Sequence, residues 1–281
     1  MLKIKYNYSI EHISYIKVGG KIKVYIETDD IEVVKKVLKV TKKIKYIGNT
    51  SNIFFCFKYC DYILLKYINT EIIIDELITL GSSLPLNYVS KKLMNLSIEG
   101  FEKLSGIPGF IGGSIVNNSS CYNQCISDNL HSLVIIDETG NLLEIKKSDI
   151  VFSHHYSSLR NKNVLIICAR FEKKYLPFEE LNKKYQYAKE NRINNQPYNK
   201  LTLGSTFKKY QNIVVPRIIE EMNLKGMKKG DTSISLKHSN FIEIGHKENF
   251  RNIISLIEEV NQLLYNKLGY YIELEIECIK R

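Results

Sequence analysis

Residues with the means to do chemistry cluster at four places in this chain. Residues 105–122 read SGIPGFIGGSIVNNSSCY, and four of the 15 glycines (Gly106, Gly109, Gly112, Gly113) fall within eight residues there. Glycine lets backbone N–H groups approach a ligand at distances and φ values that a Cβ would block. Such a run reads either as a loop lying against phosphate or as a plain cluster of turns. Its spacing matches neither GxGxxG nor GxxxxGK[ST]. A second loop, YIGNTSN at 46–52, follows a strand and reads by itself as a polar turn. In FSHHYSSLR (152–160), His154 and His155 stand side by side. Each is mostly neutral near pH 7 unless a carboxylate raises its pKa, and a solvated turn is the plainer reading. The chain ends in YIELEIEC (271–278), whose period of two puts Glu273, Glu275 and Glu277 on one face, an edge strand with a wet acidic side.

The elements that must position these residues follow from patterning. KIKVYIE (21–27) alternates as a strand; Asp29 and Asp30 then cap a helix with apolar residues at 31, 33, 34, 37, 38 and 40, and a strand at 44–47 closes a βαβ unit. Strands are predicted at 53–57, 62–67 and 71–75, and a helix at 84–96 with Pro85 in its first turn. A hairpin is predicted at 133–145 around a turn at 138–141, a strand at 164–171, and helices at 178–194, 216–226 and 248–268. Six cysteines form two CxxxC pairs (Cys56/Cys60, Cys121/Cys125) and two singles, Cys168 and Cys278. That spacing is not a zinc or redox CxxC, so they read as reduced packing residues, and no metal is expected.

With 281 residues the chain can bury a sizeable core in two or three subdomains. Its net charge of +10 comes from 40 Lys and Arg spread without a block of like charge. Nucleic acid is therefore not the expected partner, although a positive field favours anionic ligands. No apolar run reaches the roughly 20 residues of a membrane span and no leader-like apolar segment follows the first charges, so a cytoplasmic location without membrane insertion is expected.

SGIPGFIGG with Asn118 and Tyr122 resembles the second flavin-contacting loop of the UDP-N-acetylenolpyruvoylglucosamine reductase (MurB) family, close to SGIPGxxGGAVxxNAGAYG; Ser119, Ser120 and Asn123 depart from it. The resemblance runs along nearly the whole chain. Gly19 and Gly20 match a TxxxIGG segment, and GNTSN stands where the family has GGGSN, with Gly48, Ser51 and Asn52 matching and Asn49 and Thr50 replacing glycines. FSHHYS stands for FxYRxS, putting His155 at the arginine position. Gln196 and Pro197 match a QP pair, GSTFKK matches GSxFKN, PRIIEEMNLKG is similar to LIEExGLKG, and SLKHSNF to SxKHANF. The terminal strand stands for LEPEV, with Leu274 in place of proline.

The resemblance, to the shorter form of the family, implies an α+β fold: an FAD-binding two-subdomain unit of the vanillyl-alcohol-oxidase/PCMH type plus a smaller α+β substrate domain. The implied parts are 1–70, 71–192, 193–270 and a terminal strand, 271–281, returning toward the flavin. It implies FAD held by Gly48, Asn49, Thr50, Ser51, Asn52, Gly106, Ile107, Gly109, Gly112, Gly113, Ser114 and Asn118. The implied activity is NADPH-dependent reduction of UDP-N-acetylglucosamine enolpyruvate to UDP-N-acetylmuramate in peptidoglycan precursor synthesis, by a monomer. Ser205 would deliver the proton and Glu275 would act opposite it. His155 or Arg160 would supply positive charge at the substrate, and Arg160, Lys208, Lys237 and His238 would contact the nucleotide sugar. A cationic His155 would make turnover fall as pH rises through about 6 to 8. Two other readings stay open here: another flavin oxidoreductase of the same fold, and a degenerate flavin-binding protein without turnover, which the missing arginine and the altered GGGSN loop would favour.

Overall fold

The computed structural model describes residues 1–210, 213–246 and 248–280. The chain forms β1 (Leu2–Ser9), β2 (Lys21–Thr28), α1 (Ile31–Val40), β3 (Ile44–Tyr46), β4 (Ile53–Phe55), β5 (Tyr59–Tyr67), β6 (Ile72–Ile74) and β7 (Leu77–Gly81). After α2 (Leu86–Asn95) and α3 (Ile111–Val116) come β8 (Ser120–Cys121), β9 (Gln124–Cys125), β10 (Leu130–Ile136), β11 (Leu142–Lys146), β12 (Phe152–Ser153), β13 (Tyr156–Ser157) and β14 (Leu165–Glu172). Then follow α4 (Phe178–Asn195), β15 (Leu201–Ser205), α5 (Val215–Glu221), β16 (Lys228–Lys229), β17 (Thr232–Ile234), β18 (Phe241–Ile244), α6 (Phe250–Leu268) and β19 (Glu277–Ile279). The expected α+β character is what the chain adopts.

These elements group into two compact units, one of Met1–Tyr6, Val24–Asn49 and Tyr62–Asn191, the other of Asn7–Lys23, Thr50–Asp61 and Arg192–Arg281. This grouping differs from the contiguous parts implied by the sequence. Strands β2 and β5 each begin in one unit and end in the other, so the stretch 1–70 is divided between them.

In the first unit, α1 forms because Asp30 caps it, its carboxylate accepting the Glu32 N–H at 2.8 Å, and because Val34 and Leu38 bury its inner face. Those two residues pack with Ile26, Ile44 and Leu65, each buried side chain contributing roughly 2 kcal/mol, so a charge at Leu38 would unseat the helix. The sheet order here is β1-β2-β5-β3, with β3 and β5 parallel. A second, five-stranded sheet runs β11-β10-β14-β7-β6 with every pair antiparallel. One core covers α2, α3 and this sheet through Leu80, Leu86, Val89, Ile111, Ile115 and Leu133.

In the second unit, β15-β18-β17-β16 form an antiparallel sheet. Against its core lies one face of α6, where Ile253, Leu256, Ile257, Val260 and Leu264 are buried. Asn249 caps α6, accepting the Arg251 N–H at 2.9 Å, and Gly269 ends it at φ 83°. Ile16, Val18 and Phe54 fill the same core, which is why two N-terminal segments join this unit.

Two elements are shorter than their sequence suggests. The helix expected at 216–226 stops at Glu221, because Asn223 and Gly226 take φ of 55° and 79°. The expected strand at 271–278 pairs regularly only as β19, parallel to β4 (Glu277 opposite Ile53). The chain bends at Glu275 and Ile276, so Ile279, not Cys278, is the buried residue beyond the bend. Among the described residues no helix is long and apolar enough to cross a membrane. No group of three His, Cys, Asp or Glu there could hold a metal ion, and none of the six cysteines is in a disulfide.

Candidate active site

The candidate residues fall into two groups, one in each unit. In the first unit the glycine run is not a plain loop: residues 111–116 wind into α3, because Ile111 and Ile115 are buried anchors and glycine lets the helix lie against β7 and the turn after it. The Gly112 N–H donates to the Ser82 carbonyl at 2.9 Å, and a Cβ on Gly112 would lie 3.1 Å from the Ser82 Cβ. At Gly109 a Cβ would come within 2.8 Å of Ser114 Oγ. These two glycines serve packing. Gly113 and Gly48 differ: a Cβ on Gly113 meets nothing within 4 Å, and one on Gly48 meets only Phe110 at 3.8 Å, so both expose bare backbone. Asn49 Nδ2 donates to the Pro108 carbonyl and ties the two loops together.

Whether this region suits a polar cofactor is decided by its unpaired atoms. Among the described residues, the buried Ser105 Oγ, Ser114 Oγ, Asn118 Oδ1 and Tyr46 Oη have no hydrogen-bond partner, the last on β3 just ahead of Gly48. Each such group costs about 1–3 kcal/mol if left unsatisfied. Four of them beside two open glycines fit the hydroxyl- and phosphate-rich FAD. Burial pushes the Tyr46 hydroxyl up to about 12, so it is a neutral donor at physiological pH.

Asn118, at φ 43°, also braces the histidine segment: its Nδ2 donates to the Ser153 carbonyl at 2.8 Å, and Ser157 Oγ donates to the Val116 carbonyl at 2.7 Å. The two histidines form the turn of a short hairpin, β12–β13, with His154 exposed and His155 half-buried at φ 51°. The His154 and His155 rings lie 4.2 Å apart. Burial first, then the neighbouring His154, pushes the His155 pKa down to about 4. A neutral ring at pH 7 runs against the cationic role expected of His155. Arg160 lies half-buried in the 3-10 turn Ser158–Asn161 that follows.

In the second unit three segments meet. Ser205 ends β15 opposite Phe241, after a register shift that leaves an extra residue between Thr202 and Ser205. Gly204, at φ 79°, makes this β-bulge and re-aims the serine. The next residues pair with the terminal segment: the Glu275 N–H donates to the Thr206 carbonyl at 2.9 Å, and the Lys208 N–H to the Glu273 carbonyl at 2.8 Å. Ser205 and Glu275 therefore occupy adjoining positions of one backbone pairing, and both are half-buried. Asn52 closes the group, its carbonyl accepting the Glu277 N–H at 2.9 Å and its Nδ2 donating to the Glu275 carbonyl at 3.4 Å. Ser51, beside it, is half-buried.

Thr50 adopts φ 56°, costly for a β-branched residue, yet its hydroxyl accepts the Tyr15 N–H at 2.8 Å and donates to the Ile13 carbonyl at 3.1 Å. The hydroxyl is thus committed inside the protein rather than offered to a ligand. Two substitutions should move stability in opposite directions. Thr50→Ser keeps both bonds and sheds the strained methyl, raising stability by up to about 1 kcal/mol, while Thr50→Ala leaves the Tyr15 amide unpaired and lowers it by about 1–3 kcal/mol. Thermal melts of the two variants check the signs.

The expected sugar-nucleotide contacts are partly engaged already. Lys208 Nζ pairs with Glu273 Oε2 at 2.7 Å, and Lys237 Nζ donates to the Ile193 carbonyl at 2.5 Å. At His238 burial lowers the pKa, and its Nδ1 accepts the Asn240 N–H at 3.3 Å, so any contact with the nucleotide sugar is that of a neutral imidazole. Patterning missed Asn240 itself. It is buried and bonded on both sides to the Phe207 backbone, and its only sequence trace was its place in SLKHSNF.

Known proteins resemble this chain in sequence and in fold. Residues 22–146 match the FAD binding domain family, and residues 196–279 match the C-terminal domain of UDP-N-acetylenolpyruvoylglucosamine reductase. The reductase of Fusobacterium nucleatum is 31% identical over 99% of this chain and 100% of its own length. That of Prochlorococcus marinus is 29% identical over 98% of each. The crystal structure of the Thermus caldophilus enzyme (MurB) superposes with a TM-score of 0.86 over 100% of this chain and 99% of its own, at 22% identity, which shows a shared fold. At the identity and coverage of the Fusobacterium relative, the chain belongs to the UDP-N-acetylenolpyruvoylglucosamine reductase family.

Proposed function

We infer that the protein is an FAD-dependent enzyme that uses NADPH to reduce UDP-N-acetylglucosamine enolpyruvate to UDP-N-acetylmuramate, a step of peptidoglycan precursor synthesis. The observation that supports the reading on this chain's own residues is the backbone pairing in which the Glu275 N–H donates to the carbonyl of Thr206, the residue after Ser205. When bound, FAD supplies the two-electron chemistry, taking electrons from NADPH and giving them to the enolpyruvyl double bond. The remaining steps fall to side chains. Reduction at the outer carbon of that bond leaves negative charge on its neighbour, which Ser205 quenches with its hydroxyl proton. A serine is a poor acid in water, so its placement by the Gly204 bulge matters more than its pKa. Glu275 holds the opposite side, and Arg160 provides positive charge for the substrate carboxylate.

Residues 48–52, 106, 107, 109, 112–114 and 118 are the proposed FAD contacts, with Gly48, Gly113, Ser114 and Asn118 offering backbone or unpaired atoms and Gly109, Gly112 and Thr50 holding the loops in shape. Lys208 and Lys237 are the proposed cations for the nucleotide sugar; Lys208 would exchange Glu273 for diphosphate. A cytoplasmic monomer is the form this reading expects.

The purified protein should be yellow, bleach with NADPH under argon, and recover its colour on addition of the enolpyruvyl nucleotide sugar. Bleaching without recovery would mark a flavin binder that lacks turnover. Recovery with oxygen alone would mark an oxidoreductase acting on something else.

A further inference from the structure

We infer that Asn240 is a positioning residue for the reaction, a clamp that holds the strand between Ser205 and Glu275 in register; the inference rests on the functional reading above. Asn240 is 5% exposed. Its Oδ1 accepts the Phe207 N–H at 3.0 Å, its Nδ2 donates to the Phe207 carbonyl at 2.9 Å, and its own carbonyl accepts the Thr206 N–H at 2.8 Å. The other edge of the same short segment is paired with residues 273–275, through Thr206 to Glu275 and Lys208 to Glu273. Residues 206–208 are thus tied along both edges, by Asn240 on one and by the segment carrying Glu275 on the other.

The need for such a clamp follows from the bulge. Regular pairing of β15 with β18 ends at Ser205 opposite Phe241, so Thr206 and Phe207 have no strand on that edge. A carboxamide has both a donor and an acceptor and no charge, and it replaces the missing strand at Phe207. The rest of SLKHSNF fixes the amide's approach. Ser235 Oγ accepts the Lys237 and His238 N–H groups, His238 Nδ1 accepts the Asn240 N–H, and Ser239 Oγ donates to the Pro216 carbonyl at 2.8 Å. Without the clamp the segment shifts to find partners, and misplacement by about 1 Å is enough to slow a positioned reaction about a hundredfold.

The test uses the full chain with bound FAD and follows flavin absorbance in two steps, bleaching by NADPH and recovery on adding the enolpyruvyl nucleotide sugar. Bleaching needs neither Ser205 nor Glu275 in this scheme, whereas recovery needs both. Asn240→Ala should bleach within about twofold of the parent and recover about a hundredfold more slowly. Asn240→Asp should recover slowly at pH 8 and approach the parent as pH falls, because a protonated carboxyl again donates to the Phe207 carbonyl. Rates are taken relative to the parent at each pH, so that titration of His238, Glu275 and the Lys208–Glu273 pair, which face this segment, cancels. Equal slowing of both steps, loss of flavin, or unchanged recovery overturns the inference, since a merely structural residue gives the first two. If Asn240→Ala does not fold, amide hydrogen exchange in the parent decides: slow exchange at Thr206 and Phe207 supports the clamp, and exchange at the rate of an open loop removes it. A parent that bleaches but never recovers with the nucleotide sugar defeats the functional reading instead, and the exchange measurement still judges the clamp.

Discussion

Ser205→Ala should slow recovery of the flavin colour by the enolpyruvyl nucleotide sugar about a thousandfold while leaving its bleaching by NADPH untouched. A positioned acid contributes about 10²–10⁴ in rate, and no other donor would replace the lost hydroxyl quickly because the site must exclude bulk water. Gly204 at φ 79° sits in the bulge just ahead of Ser205, which pairs opposite Phe241, and the Thr206 carbonyl then accepts the Glu275 N–H at 2.9 Å. Glu275→Gln, which keeps the shape and removes the ionisable group, should slow the same step about a hundredfold. Because the two groups act on one proton transfer, the double substitution should cost little more than Ser205→Ala by itself. Stopped-flow absorbance on the three variants separates these cases. Recovery of Ser205→Ala within about threefold of the parent would take the proton role away from it, and simple multiplication of the two effects would mean that the residues act independently.

The sequence made parts of this arrangement legible and hid others, for physical reasons. Helix α6 was readable because its apolar residues recur at helical spacing over 19 residues between an asparagine cap and a glycine stop. The βαβ unit around α1 was readable for the same reason. Strands β16, β17 and β18 were not, being two to four residues long, and their identity depends on partners far away in the chain. The glycine run was recognisable as a special backbone, but which glycine packs and which stays open depends on Ser82 and Ser114, which no spacing rule reveals. The same holds for charge. His155 stands at the position of a family arginine, and burial lowers its pKa, as it does that of His238. Asn240 stood in a recognisable motif, yet its work depends on the bulge at Gly204, a tertiary event.

Arg160→Ala should lower turnover about 10²–10³-fold, the usual cost of removing a preorganised donor from developing negative charge, and Arg160→Lys should recover only part of it because an ammonium lacks the planar fork. The neighbouring histidine cannot supply that charge. With a pKa near 4, His155 is uncharged throughout the working range, so turnover of folded enzyme should not titrate with it between about pH 6 and 8. Its titration belongs to stability instead. The unfolded chain takes up this proton near pH 6.5 and the folded chain only near 4, so the contribution is present above the unfolded value and is lost as pH falls through that window. His155→Asn keeps a side chain tolerant of φ 51° and removes the titration, so its melting temperature should depend less on pH than the parent's between about 4 and 6.5. Thermal melts across that range and steady-state rates from pH 6 to 8, run on Arg160→Ala, His155→Asn and the parent, test both halves together. A parent whose turnover falls through pH 6 to 8, joined with an Arg160→Ala variant of near-normal rate, would return the cationic role to His155 and require substrate binding to raise its pKa above 6. A flat profile with a crippled Arg160→Ala leaves the guanidinium, five residues further along the chain, as the group that took over when histidine replaced the family's arginine.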